Sequence, residues 1–456
     1  MIGYLILAVL VAFIAVVAVR TIRFRPKPQP EVTKEEIAFN RDAAVDSLAQ
    51  LVRCKTVSYN DHSLEDEGEF QKLISLLPTL YPNVFGTCTF QQLPDRALLL
   101  RWPGKQEGDP AVMMAHYDVV PVNEEKWDKP PFAGVIEDGI LWGRGTLDTK
   151  VTFNGVLSAA NYLIGQGAPN IVAYFTEHGI HPAIVVDEGG AVVENVFPGV
   201  KQPCGLIGIA EKGMLNAQYR TVSAGGHASA PKPHTPVGVL AAACKRVEDH
   251  PFKAHIDGPA AQMFDTLGRY STPLYRVIFA NMWCFGWIID TLGKKSGGEM
   301  NALVRTTVAF TQMEGSSARN VIPPEAKMVS NIRLNPADSV ASALAYLEKA
   351  VSDPAVEITS LESFEPSPVS ETGCDAWEKV ASAVANTWPG CIVSPYLMVQ
   401  CSDSRHYRDL SNHVYRFSAM DLTAEERSTI HGNNERIRLE TVAKAVEFYI
   451  RLMRQC

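Results

Sequence analysis

The sequence predicts an α/β protein built on a sheet that is at least partly parallel, joined at its N-terminus to an apolar helix able to span a membrane. Two observations carry the first part. Short apolar runs, among them ALLLRW (97–102), AVMMAHYDVV (111–120), AIVVDEGG (183–190), GLIGIAEKG (205–213) and VYRF (414–417), read as strands. Stretches with helical spacing lie between them, and such alternation is the pattern of an α/β sheet flanked by helices. The third observation is IGYLILAVLVAFIAVVAV, residues 2–19, which carries no charge and is about the shortest run that reads as a transmembrane helix.

Arg20, Arg23, Arg25 and Lys27 follow that run. No basic residue precedes it and no small-x-small cleavage site follows, so a retained anchor is expected over a cleaved signal. The basic cluster lies on the C-terminal side, which keeps the globular body in the cytoplasm by the positive-inside rule. PKPQPEVTK (26–34) reads as a short stiff linker. EEIAFNRDAAVDSLAQLV predicts a helix over about 35–52. Val151, Val156, Leu157, Ala160, Leu163 and Ile164 predict another from Thr149 to Gly165 or Gly167, and APNIVAYFTEHGIHP reads as a further short helix.

With 456 residues, 46% hydrophobic and 20% charged, the chain can bury a large core in two or three domains. Nine cysteines scattered from Cys54 to Cys456 without a C-x-x-C pair fit reduced thiols rather than a disulfide framework. Beyond the first 27 residues, 38 Lys and Arg face 50 Asp and Glu, so the body carries about −12 and nucleic acid is not an expected partner. GRGTLDTK lacks the spacing of a phosphate loop, and there is no G-x-S-x-G nucleophile elbow.

Ligands of an α/β sheet sit beyond the carboxyl ends of its strands. His116 closes the strand AVMMA, Asp187 closes AIVV, Asp148 opens a helix, and HGNNE places His431 on a loop before the last helix. One histidine is usually a solvated surface group. Two imidazoles and two carboxylates directed to one rim are nitrogen and oxygen ligands suited to zinc, and a shared carboxylate can bridge two ions about 3.5–4 Å apart.

Six motifs occur in order: HYDVVPV, W-x-x-P-P-F (127–132), DGILWGRGTLDTK (138–150), GGHASAP (225–231), NVIPPEAKMVSNIRL (320–334) and HGNNERI (431–437). Together they resemble the co-catalytic zinc peptidase and aminoacylase family, whose members include carboxypeptidase S, aminoacylase, carnosinase and bacterial dipeptidases. The resemblance runs from about residue 35 to the end and looks nearest to the carboxypeptidase S branch. It implies hydrolysis of amide bonds in small peptides or N-acyl amino acids with two zinc ions. His116 and Asp187 would bind one ion, His431 the other, and Asp148 would bridge them. Asp118 would accept a hydrogen bond from His116 and fix its tautomer. A lid or dimerisation domain of α+β type, 211–366, would interrupt the catalytic domain (31–210 and 367–456) behind an anchor and linker (1–30). His227 in the lid would polarise the scissile carbonyl, often from the neighbouring subunit of a homodimer. Arg333 is a candidate for the substrate's carboxylate, since a guanidinium suits bidentate capture.

One departure stands out. The family carries a further strand ending in two adjacent glutamates, the first a general base and the second a zinc ligand. Here YLIGQG runs directly into APNIVAYF, so about twenty residues by the family's pattern are missing between Gly167 and Ala168. Glu124 and Glu125, and Glu425 and Glu426, lie in loop or solvated segments; Glu177 and Glu188 are the candidates to substitute. Loss of a general base costs about 10²–10⁴ in rate. Three readings follow: an active anchored hydrolase, an inactive relative that keeps the fold and binds a ligand or partner, or an incomplete rendering of an active enzyme. The apolar run RYSTPLYRVIFANMWCFGWIIDTLGKK (269–295) fits a pocket for apolar substrates, buried helix packing or a subunit interface.

Overall fold

Asn40 decides where the first helix of the body begins. Its side chain accepts from the Ala43 N–H, so the helix is Arg41–Val52 and the expected residues 35–40 stay outside it. The computed structural model describes residues 1–33, 35–103, 109–165, 183–407 and 410–456. The Gly167–Ala168 junction, Glu177 and the helix expected over 168–182 lie outside these. The described chain forms two compact units.

One unit comprises residues 27–209, 370–395 and 402–456. Its main sheet has the strand order Ile392–Met398, Cys204–Glu211, Val414–Leu422, Ile184–Val193, Ala111–Met113. The last three run parallel, and Cys204–Glu211 pairs antiparallel with Val414–Leu422 and Ile184–Val193, so the sheet is mixed. Cys204–Glu211 is buried at every position, which is why it reads as an unbroken apolar run rather than an alternating one. Gly190 lets it approach Ile184–Val193: a Cβ there would stand 1.8 Å from the Leu206 carbonyl oxygen. The helix Lys150–Gly165 packs on the last helix, Leu439–Met453, at Gly155, where a Cβ would meet the Tyr449 ring at 3.2 Å. ALLLRW does not join this sheet. Leu98–Arg101, half-buried throughout, pairs with the mostly exposed Thr89–Gln92 in a separate two-stranded ribbon.

The other unit comprises residues 1–26, 210–369 and 396–401. Its sheet is antiparallel in the order Thr307–Glu314, Glu325–Leu334, Gly213–Val222, Glu357–Phe364. Burial alternates along the two central strands, as period-two side chains require of a sheet with one covered face. Leu215, Tyr219, Met328 and Ile332 from those strands pack with Leu240 and Leu347 of the helices Pro236–Asp249 and Val340–Val351. A helical insertion follows Asp257: Gly258–Gly268, Pro273–Ala280, Met282–Ser296 and Gly298–Val304. The N-terminal helix Ile2–Arg23 has no buried residue and is long and apolar enough to cross a membrane, a property it shares with signal sequences.

Candidate metal centre

His116 stands just beyond the carboxyl end of Ala111–Met113, whose pairing ends with the Met114 N–H donating to the Val186 carbonyl. The following loop is tied down by Val119 N–H to Thr56 O and Ser58 N–H to Val119 O. His116 Nδ1 faces two oxygens of Asp118, the main-chain carbonyl at 3.1 Å and the carboxylate at 3.3 Å. Both are acceptors, so Nδ1 carries the proton and Nε2 is left as the ligating nitrogen. Ser58 in turn donates to the other carboxylate oxygen of Asp118 at 2.6 Å.

Nε2 of His116 looks onto Asp148 Oδ1 at 3.4 Å and Glu188 Oε1 at 3.5 Å. His431 Nε2 contacts the other oxygen, Asp148 Oδ2. Asp148 thus offers one oxygen to each imidazole. Burial works against its charged form, but the two histidines outweigh it and hold its carboxyl below the usual range. Burial likewise opposes a charge on His116, and Asp118, Asp148 and Glu188 together raise it nonetheless. His431 is raised chiefly by its bond to Asp148. Burial pushes Glu188 up to about 7 against the opposing pull of His116.

Glu188 reaches the cluster through a β-bulge. Arg416 pairs with Asp187 and Phe417 with Gly190, so Glu188 and Gly189 fall outside the register with the neighbouring strand, where the Gly189 N–H donates instead to Ser418 Oγ at 3.0 Å. Bulges of this kind redirect a side chain. Asp187 therefore lies within the strand Ile184–Val193 rather than closing it, and its carboxylate is engaged elsewhere. One oxygen accepts from the Glu188 N–H at 2.9 Å and the other from the Ser404 N–H at 2.7 Å, and burial raises its pKa.

A buried ion pair sets the two remaining segments. Glu435 Oε1 accepts from the main-chain N–H groups of Gly145 (3.2 Å), Leu147 (2.8 Å) and Asp148 (3.2 Å), and Oε2 accepts from Arg144 at 2.5 Å. Arg144 also donates to the carbonyls of Gly432 at 2.8 Å and His431 at 3.4 Å. Its guanidinium lies 5.3 Å from the Trp127 ring, which gives W-x-x-P-P-F a structural use. The clamp thereby fixes the Asp148 loop and the His431 loop together. His431 needs it, since its φ of +58° is a left-handed conformation costing a non-glycine residue about 1–3 kcal/mol. Neither Arg144 nor Glu435 was expected at the site. Both lie inside quoted motifs, and the signal was a charged residue of each sign in the two segments that supply Asp148 and His431.

The donors fit a metal ion. Ligand atoms of His116, Asp148 and Glu188 lie within 4.8 Å of one another, and ligands about 2.0–2.1 Å from a tetrahedral zinc stand about 3.4 Å apart. The second position has His431 and Asp148, and among the described residues no third ligand joins them. Elsewhere Glu371, Cys374 and His413 also cluster, with His413 Nδ1 donating to the Ala183 carbonyl at 3.0 Å. In the other unit, His227 is exposed on the short strand Gly226–His227. The Ser229 N–H donates to its Nδ1 at 3.2 Å, so the neutral ring presents an N–H at Nε2. Arg333 donates to Asn331 Oδ1 at 3.1 Å and to Cys401 Sγ at 2.9 Å. Beside it, burial and then the Arg333 charge lower Lys212 to about 7.

Imidazoles and carboxylates gathered past the end of a parallel strand form a candidate metal centre of the kind that α/β metallohydrolases use. The model of peptidase family M20/M25/M40 matches residues 112–455, and the chain belongs to that family. N-fatty-acyl-amino acid synthase/hydrolase PM20D1 of Xenopus tropicalis is 32% identical over 490 positions, covering 98% of this chain and 94% of that protein. Probable carboxypeptidase S-like 2 of Dictyostelium discoideum is 30% identical, covering 98% and 92%. The M20 metallo-carboxypeptidase Sso-CP2 of Sulfolobus solfataricus shares the fold, with a TM-score of 0.65 at 16% identity over 90% of this chain and 98% of that one. As 98% of 456 residues is about 447, roughly 43 of the 490 positions of the Xenopus alignment face no residue here. The chain is thus a hydrolase of the M20 family.

Proposed function

We propose that this chain is an M20 amide hydrolase whose centre derives from a two-zinc site but keeps a full ligand set for one ion. It would cleave N-acyl amino acids or small peptides far more slowly than relatives with paired glutamates. One observation carries this reading: of the described glutamates, Glu188 meets His116 and Asp148, and a single carboxylate cannot be ligand and free base at once. The alignment positions lacking a counterpart support an internal loss.

His116, Asp148 and Glu188 would hold the first ion, with Asp187 behind them on Ser404. His431 and Asp148 would hold the second weakly. The ion supplies Lewis-acid polarisation of the amide carbonyl. Asp118 keeps His116 in its ligating tautomer, and Arg144 with Glu435 keeps the two loops in register. The family resemblance gives polarisation of the carbonyl to His227 and the substrate carboxylate to Arg333. The Nε2–H of the first and the guanidinium of the second suit those roles. The name of the Xenopus relative supports an N-acyl amino acid as substrate. The change of unit near residues 210 and 369 supports a lid at 211–366, and dimerisation through that lid is part of the proposal. The N-terminal helix would anchor the protein, with Arg20 to Lys27 keeping the body cytoplasmic.

Zinc titration together with hydrolysis of an N-acyl amino acid tests the reading. About one tightly bound ion per chain is expected by ligand count, with a rate about 10²–10⁴ below that of a paired-glutamate relative. Inserting a strand ending in two glutamates between Gly167 and Ala168 should raise occupancy and turnover together. Enzyme-like turnover of the unmodified chain that Glu188→Gln abolishes would mean Glu188 is a sufficient base. No hydrolysis after insertion, with zinc bound, would favour an inactive binding protein.

A further inference from the structure

The N-terminal helix is not isolated within its unit. It packs on the helical insertion, and the contacts follow its axis in order. At its basic end the Arg269 guanidinium lies 4.4 Å from the Phe24 ring and donates to the Arg25 carbonyl at 3.0 Å. A turn deeper, Arg20 donates to the Ala280 carbonyl at 3.2 Å. Asn281, fully buried, donates to Val17 O at 3.3 Å and Thr21 Oγ1 at 3.1 Å. Deeper again, the Trp283 ring meets Phe13 edge-on, with centroids 5.9 Å apart. Phe13 is seven residues from Arg20, roughly 10 Å along a helix rising 1.5 Å per residue. Polar contacts therefore cluster at the charged end and aromatic ones well inside the uncharged run.

The insertion leaves large apolar groups exposed beside that helix. Trp283 is 58% exposed and Trp287, one turn on, 65%; Leu274 is 74% and Leu292 54%. Several of its charges are paired: Asp290 with Arg305 and Lys294, Arg269 with Asp265. Exposed tryptophans and leucines are costly in water and suit a membrane, from the headgroup boundary inward.

We infer that the insertion Pro273–Ser296 is a second membrane-inserted element, which buries Leu274, Trp283 and Trp287 in the leaflet that the N-terminal helix enters. The inference rests on the anchoring reading above. If that helix crosses the bilayer, whatever stands level with Phe13 stands in hydrocarbon, and Trp283 does. Its occupant is lipid, rather than a second copy of the chain, because the face is continuous with a helix that presents apolar side chains all round.

Full-length protein reconstituted into phosphatidylcholine–phosphatidylglycerol vesicles provides the test, read by tryptophan quenching from lipids brominated on the acyl chain. The N-terminal helix contains no tryptophan, and Trp283 and Trp287 are the two in its unit, so the difference in quenching between the parent and a variant lacking them reports the insertion. Most of the quenching should disappear in Trp283→Phe/Trp287→Phe, substitutions at exposed positions that leave the fold intact by circular dichroism. Flotation with the vesicles but equal quenching of parent and variant overturns this inference and leaves the anchor standing. Concentration-dependent dimers in which both tryptophans are shielded from brominated lipid overturn it in favour of a subunit interface. Failure to float overturns the anchor and this inference together.

Discussion

Replacing Glu435 by Gln tests whether the clamp, rather than the ligands alone, builds the centre. Glu435 is fully buried and Arg144 is 2% exposed. The carboxylate takes three main-chain N–H groups on one oxygen and the guanidinium on the other. In the amide one oxygen becomes NH2; the less costly orientation keeps the oxygen toward the three N–H groups and turns the NH2, a donor, onto the Arg144 donor. One hydrogen bond involving a charged group is lost, about 1.5–3 kcal/mol, and Arg144 is left buried without its counter-charge, for which breaking a pair costs about 3–5 kcal/mol. The two overlap, so a loss of about 3–5 kcal/mol is expected. Desolvation offsets the attraction of a buried ion pair, so the penalty comes mainly from orphaning one member. Arg144→Met/Glu435→Met should therefore cost less than the sum of its single changes. Because the clamp holds both Asp148 and the His431 loop, zinc affinity should also fall about 10–100-fold. Urea denaturation of the zinc-free protein and calorimetric zinc titration measure the two effects. A Gln variant within 1 kcal/mol of the parent, with unchanged zinc affinity, refutes the reasoning.

Two further outcomes follow from the packing. Gly190→Ala should destabilise by about 3 kcal/mol or more, because its Cβ would fall 1.8 Å from a main-chain oxygen that only strand separation can move; a loss under 1 kcal/mol by urea denaturation would contradict this. Lys212, ordinarily near 10.5 and lowered to about 7 when folded, binds fewer protons in the folded than in the unfolded chain between those values. Stability should therefore rise with pH across that window, by on the order of 4 kcal/mol, and Lys212→Met should abolish the rise. An equal gap between parent and variant at pH 7 and pH 10 would contradict it.

Elements with local causes were legible in the sequence. The helix Lys150–Gly165 announces itself by spacing, and AIVV, GLIGIAE and VYRF are strands because both faces of the sheet are covered. The meeting of His116, Asp148 and His431 could be read from strand ends and loop positions. What escaped depends on partners far away in the chain. ALLLRW has the composition of a buried strand, yet its pairing with Thr89–Gln92 puts it in a ribbon. Arg144 and Glu435 each look like an ordinary loop charge until a fold joins positions 291 residues apart. The run 269–295 left pocket, packing and interface open, since periodicity does not say which neighbour covers a face; contact with Val17 and Thr21 does.

The bulge at Glu188 and Gly189 shows the same dependence at the point where it matters most for chemistry. DEGG offers two adjacent carboxylates, and a regular strand would send them to opposite faces. Asp187 then takes the face of Ser404, while the two residues that skip their partners on Val414–Leu422 turn Glu188 toward His116. Register with a strand over two hundred residues away thus selects which carboxylate joins the metal position. That selection also limits the site, for each added demand on Glu188 competes with the last. Coordinated to an ion, it loses its basicity; left free as a base, it leaves His116 and Asp148 as the remaining ligands of the first position. A second glutamate delivered from outside the bulge relieves the conflict, which is why insertion at Gly167–Ala168 should move zinc occupancy and turnover together while Glu188→Asp, one methylene shorter, should restore neither.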